Sequence, residues 1–224
     1  MKEKIKKGDF VEIEFTGTIK ETGVVFDTTS EEVAKKEGIY NPKHKYGPVV
    51  VCVGQNQLLK GLDEFVEGKE IGVEYEVLVQ PQDGFGKKDA KNIKLIPTKL
   101  FTKQKISPVP GMPVNIDGVY GIIVTTTGGR TIVDFNHPLA GKELIYRFKT
   151  NKIIKDPSEK ILSFINTELG IKKEDTEVNI KDGEAEIKLK INIPEEVKEI
   201  IKKRITEIIP EIKKVSFVNK EQQK

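Results

Sequence analysis

The sequence predicts an α+β protein: a sheet-rich body, a small all-β insertion, and a C-terminal αββαβ unit. Three observations carry this. Apolar and polar residues alternate with period two over residues 9–20, 73–79 and 187–193, as half-buried strands require. Helical spacing of apolar residues is confined to short stretches near residues 58–66, 161–169 and 197–209. From residue 87 to 135 the chain carries apolar runs broken by Gly and Pro, without a helical period.

Taken in order, Val11, Ile13 and Phe15 face one way in the first strand and Glu12 and Glu14 the other. A turn at Gly23 leads into 24–27, and Ser30 is placed to cap a short helix anchored by Val33. A Pro/Gly-punctuated loop follows, and then an apolar strand over 49–53. Leu58, Leu59, Leu62, Phe65 and Val66 read as one face of a short helix stopped by Gly68. Val73, Tyr75, Val77 and Val79 share the face of the next strand. Within 87–135, Gly128-Gly129 marks a hairpin, and 143–150 reads as a further strand. Asp156 followed by Pro157 opens a helix with Ile161, Leu162, Phe164, Ile165 and Leu169 on one face and Gly170 at its end. Asp182-Gly183 is a hairpin turn, and a second helix carries Val197, Ile201, Ile205 and Ile208 up to Pro210. A last strand spans 212–218, with a frayed tail after it.

Composition narrows the function. The 224 residues hold 38 Lys+Arg against 35 Asp+Glu, a net charge of +3, too balanced for a surface built to bind polyanions. The single Cys52, set between Val51 and Val53, reads as core, and with two unclustered histidines there is no Cys/His metal cage. His44 and His137 read as surface or loop-anchoring residues. No signal peptide or membrane span is recognisable, so the expected compartment is the cytoplasm. Neither a phosphate-binding glycine loop nor a nucleophile–base pair is present, and Asp27 lacks a second carboxylate for paired acid–base chemistry. What the body offers is apolar: Phe15, Phe26, Leu58, Leu59, Leu62, Phe85 and Tyr146.

The order of these residues resembles a family. VEIEFTG (11–17), VVFDTT (24–29), VGQNQLLKGLDEFVEGKEIG (53–72), QDGFG (82–86) and ELIYRF (143–148) are similar in sequence and spacing to FKBP-type peptidyl-prolyl cis/trans isomerases. The segment between Gly86 and Asn136, closed by NHPLAG (136–141), resembles the inserted flap of SlyD-like members, and the overall layout resembles the long archaeal ones. The resemblance implies an FKBP-type antiparallel sheet wrapped on a short helix over 1–86 and 136–151 and a flap over 87–135, while the αββαβ pattern makes 152–224 a separate domain. It implies a pocket with Leu62 at the floor, where many relatives place Trp. Phe15, Phe26, Leu58, Leu59, Phe85 and Tyr146 would form its walls, the Leu59 N–H would hold the substrate carbonyl, and Asp27 would orient the amide. Phe85 stands where many relatives carry Tyr, and the tail lacks the His/Cys-rich run that binds metal in SlyD proteins. No cofactor is implied.

The implied chemistry suits such residues. Rotation about an X–Pro bond crosses a barrier of about 18–20 kcal/mol, because the amide is resonance-stabilised. Twisting localises the nitrogen lone pair and reduces charge separation, so an apolar, water-poor pocket favours the twisted state. The insertion carries more apolar residues than so small a unit easily buries, which fits a surface for unfolded clients containing X–Pro bonds, with Ile93, Leu100, Phe101, Met112, Val114, Tyr120 and Ile122 as its expected residues. A holdase with little isomerase activity is the alternative. For 152–224, at net charge +1 and without a GxxG clamp, dimerisation is favoured over RNA binding.

Overall fold

A computed structural model describes residues 3–218. Compactness divides the chain in two: residues 1–79 with 144–224, and residues 80–143. The sequence reading draws three parts. The first unit here takes in the C-terminal segment, and the second starts earlier and ends later than 87–135.

In the first unit, β1 (Phe10–Ile19) is flanked on one edge by β2 (Val25–Thr28) and β3 (Val49–Cys52), and on the other by β9 (Leu144–Ile154), which pairs in turn with β4 (Glu74–Val79). Every pairing in this sheet is antiparallel. Val11, Ile13, Phe15 and Gly17 share a face with Tyr146, Phe148 and Thr150, since Ile13 is paired with Thr150, Phe15 with Phe148 and Gly17 with Tyr146. The helix α2 (Lys60–Val66) buries Leu62 and Val66.

The excursion between β2 and β3 holds α1 (Glu31–Lys36), where the Ser30 hydroxyl accepts from the Val33 N–H at 3.3 Å. Its buried residue is Ala34 rather than the expected Val33. The helix predicted around residues 58–66 begins only at Lys60. Ahead of it, the buried Asp63 carboxylate accepts from the N–H groups of Gly54 (2.9 Å) and Asn56 (3.1 Å), winding 54–59 into a turn. Leu58 and Leu59 therefore ride on a turn, not on a helical face.

The C-terminal segment is α4 (Pro157–Leu169), β10 (Thr176–Lys181), β11 (Glu184–Leu189), α5 (Glu195–Ile208) and β12 (Lys214–Val218). β10 and β11 form a hairpin through Asp182 and Gly183, both at positive φ, and β12 runs parallel to β11. The Asp156 carboxylate caps α4, accepting from the Glu159 N–H at 3.0 Å, and Gly170 closes it at φ 66.

The core of this segment is continuous with the body. Ile161, Phe164, Ile165, Ile201, Ile205 and Ile187 form one buried cluster with Phe10, Val50, Cys52 and Ile154. Phe10 pairs with both Cys52 and Ile154, so these side chains leave the sheet on the face opposite Val11 and Ile13. An apolar patch on both faces of a sheet requires a cover on each. The C-terminal helices supply the second.

The second unit carries β5 (Ile93–Pro97), β6 (Pro113–Ile116), β7 (Val119–Thr127) and β8 (Arg130–Asp134) in the order β5-β8-β7-β6. Gly128 and Gly129, both at positive φ, make the expected β7–β8 hairpin. The unit is not all-β, because α3 (Thr98–Lys103) follows β5 and buries Phe101 against Val114, Ile123 and Val133. A helix this short gives too few turns to show a period in sequence.

Candidate active site

Gly17, near the end of β1 that pairs with β2, lacks the side chain that would keep two rings away. Phe26 meets Tyr146 edge-on at 5.7 Å between centroids, and Phe15 meets Tyr146 at 5.8 Å and 60°. Tyr146 is 3% exposed, whereas Phe15 and Phe26 are half-buried and keep a face toward solvent.

Hydroxyls fix this corner. The Phe15 N–H donates to Thr29 Oγ1 at 3.0 Å, and the Phe15 carbonyl accepts from the hydroxyls of Thr28 (3.2 Å) and Thr29 (3.3 Å). The carbonyl also accepts from the Thr29 N–H at 3.0 Å, and Thr28 Oγ1 lies 2.8 Å from Thr16 Oγ1. Both Thr28 and Thr29 are buried, so these bonds operate largely out of water, where they fix the strand position of Phe15.

Asp27 is exposed but bordered by apolar groups, and desolvation raises its pKa above the usual carboxylate range. The Thr28 N–H and the His44 imidazole pull the other way. Burial, aided by the Asp27 charge, pushes the Tyr146 phenol well above its ordinary value, so it stays a neutral hydroxyl. Beside Asp27 opens a cavity of about 180 Å³ lined by Phe26, Asp27, Thr28, Ile39, Asn41, His44 and Tyr46. It is smaller than the roughly 300–1,000 Å³ of a drug-sized ligand site, a fit for one or two peptide side chains. A broader groove of about 700 Å³ has Phe15, Ile145 and Phe148 among its walls together with the charged Glu14, Glu37, Glu74, Glu76, Arg147 and Lys149.

Leu58 and Leu59 are half-buried on the turn before α2, and Leu62 is buried at 1% exposure. The Leu59 carbonyl accepts from the Leu62 and Asp63 N–H groups at 2.9 Å. Phe85 belongs to the second unit, where its ring stacks on His137 at 4.5 Å and 4°. His137 Nδ1 accepts from the Leu139 N–H at 3.2 Å.

Of the insertion residues expected at a client surface, Phe101 (5%) and Val114 (8%) are buried in the unit's own core, and Met112 packs against it. These three belong to the fold of the insertion, because a small sheet needs them to close its inner face. Ile93, Tyr120 and Ile122 lie on the opposite face, exposed at 41%, 76% and 41%, and Leu100 is exposed at 47%. Register supports the common face, since Ile93 and Ile122 both pair with Asp134.

Two groups escaped the sequence reading. Asp63 organises the 54–59 turn, yet in sequence it is one acid among many. The cavity wall at Ile39, Asn41, His44 and Tyr46 sits in a loop whose only signal was a cluster of aromatic residues and a histidine between Gly38 and Gly47. Among the described residues no group of three or more His, Cys, Asp or Glu is placed to hold a metal ion. No described helix is long and apolar enough to cross a membrane.

Comparison with known proteins bears on this arrangement. Residues 1–101 match the model of the FKBP-type peptidyl-prolyl cis-trans isomerase family, and residues 94–139 match that of the FKBP26, IF domain. A short-type peptidyl-prolyl cis-trans isomerase of Methanocaldococcus jannaschii is 37% identical over 155 residues, which cover 69% of this chain and 98% of that protein. The SlyD protein of Haemophilus influenzae, an FKBP-type peptidyl-prolyl cis-trans isomerase, is 33% identical over 43% of this chain and 53% of its own length. That of Helicobacter pylori is 29% identical over 52% and 64%. The chain belongs to the FKBP-type peptidyl-prolyl cis-trans isomerase family and is SlyD-like within it.

Proposed function

We propose that this chain accelerates cis/trans rotation of X–Pro bonds in unfolded polypeptides by holding the amide in its twisted form. The observation that carries the reading is the pair of rings Phe26 and Tyr146 packed over Gly17, with Phe15 edge-on to Tyr146 and with Asp27 and a cavity beside Phe26. The proline ring seats against Phe26 and Phe15. Tyr146 and Leu62 back the surface, and Leu58 and Leu59 close a side. The Leu59 N–H, at a helix start where amides lack intrahelical acceptors, receives the substrate carbonyl. Asp27 opposes the dipole of the planar amide more than that of the twisted one, which is differential binding in favour of the rotated state.

The open face of the second unit, with Ile93, Tyr120 and Ile122 exposed, supports capture of apolar client segments. Tethering capture to the isomerase raises the local concentration of prolyl bonds. Residues 152–224 serve as an assembly surface, with a homodimer as the reading, and the work is done in the cytoplasm. Kinetics of an X–Pro peptide and of a proline-limited refolding protein test the division of labour. Asp27→Ala and Phe26→Ala should slow both reactions, and deletion of 88–133 should harm refolding far more than peptide turnover. Equal losses on both substrates from the deletion would contradict client capture, and negligible turnover by the intact protein would leave the holdase reading.

A further inference from the structure

The cavity beside Asp27 has two walls of different origin. Phe26, Asp27 and Thr28 come from β2, and Ile39, Asn41, His44 and Tyr46 come from the loop between α1 and β3. That loop is built internally. Tyr40 stacks on Tyr46 at 5.5 Å and 17°, and His44 meets the Tyr46 ring edge-on at 4.9 Å. The Asn41 N–H donates to the Tyr46 hydroxyl at 3.0 Å, and the His44 N–H donates to the Asn41 carbonyl at 3.0 Å. Its far end is fastened just past β2, because the Gly47 N–H donates to the Thr29 carbonyl at 2.8 Å. A loop with these ties holds an imidazole at a set place across the cavity from a carboxylate.

We propose that His44 is a positioning residue of the isomerase, holding the Asp27 carboxylate in the orientation that acts on the substrate amide. The inference rests on the reading of Asp27 given above. The imidazole faces the carboxylate across the cavity, and its field offsets part of the cost that apolar neighbours impose on the ionised acid. His44 does not touch the proline. Its removal acts on the rate of rotation and leaves peptide affinity in place.

Full-length protein carrying His44→Ala, Asp27→Asn or both, assayed on an X–Pro peptide with kcat and KM separated, tests this. His44→Ala is expected to lower kcat about three- to tenfold with KM within about twofold, and to change the rate by less than about 1.5-fold once Asp27 is Asn. His44→Gln, which keeps a donor and much of the bulk, should retain more of kcat. Tyr46→Phe keeps the ring but loses the hydroxyl, and reports the effect of loosening the loop alone. Denaturant midpoints establish that each variant is folded. An undiminished kcat in both His44 variants, or an equal loss in the Asp27→Asn background, overturns the inference while the site reading stands. Full turnover by Asp27→Asn and Phe26→Ala together overturns the site reading itself, and the inference with it.

Discussion

A single methyl group at Gly17 is the sharpest perturbation the site offers. A Cβ there would stand 2.7 Å from Phe26 Cζ and 3.0 Å from both Cε1 and Cζ of Tyr146. Non-bonded carbons rest at about 3.5–4.0 Å, so roughly 1 Å must be found. Tyr146, at 3% exposure, has little room, and the half-buried Phe26 is the ring that gives way. Overpacking of this kind costs about 1–3 kcal/mol, while Gly→Ala in a strand returns about 0.5–1 kcal/mol. Gly17→Ala should therefore lose up to about 2.5 kcal/mol of stability by urea titration. The larger effect falls on turnover. Moving a site wall by about 1 Å can cost up to about 100-fold, so kcat/KM on an X–Pro peptide should fall at least about tenfold. Gly121→Ala is the control, since its methyl meets Val133 Cγ1 at 2.7 Å and Phe135 Cδ1 at 2.8 Å in the second unit. It should strain the protein without slowing peptide turnover. Wild-type turnover in Gly17→Ala would falsify the claim that the rings over Gly17 form the catalytic surface.

Other outcomes follow from particular groups. Asp63→Ala leaves the Gly54 and Asn56 amides without their acceptor and should cost about 2–4 kcal/mol, with raised hydrogen exchange across 54–59. Thr29→Val removes the hydroxyl that accepts from the Phe15 N–H and donates to its carbonyl, so a loss of about 1–3 kcal/mol together with reduced turnover is expected. The Thr150 hydroxyl is buried without a partner among the described residues, so Thr150→Val should raise the urea midpoint, by about 1 kcal/mol or less in free energy. Burial, aided by the Asp63 and Asp9 charges, pushes the Cys52 thiol up to about 11. The folded state thus holds its proton more tightly than the unfolded chain. This contribution to stability is present below pH 9 and declines as pH rises toward 11, and thiol reagents should label Cys52 only at the rate of unfolding.

The strands and caps that the sequence announces are local facts. Alternation in 10–15 fixes which side chains of β1 face inward, Asp156-Pro157 fixes the start of α4, and Asp182-Gly183 fixes a hairpin, because each depends on neighbours within a few residues. The family motifs likewise marked Phe15, Phe26, Asp27 and Tyr146 from order alone, and three of these four side chains meet in one ring cluster with Asp27 beside it. Long-range choices were another matter. The unbroken apolar run 49–53 signals burial on both faces of a strand, but nothing in it names α4 and α5 as the second cover. Phe101 and Tyr120 look alike in composition, and only the packing of α3 on the sheet and the register of β7 send one into the core and the other to water. The place of His44 opposite Asp27 depends on an aromatic stack that closes a loop far from any regular period. Sequence by itself settled most strands, the caps and the family, since those rest on short-range sterics and ordered motifs, but not α3 or the start of α2. Tertiary packing alone settled which apolar faces were left over and which side chains share the cavity, because burial belongs to surfaces that meet only once the chain has folded.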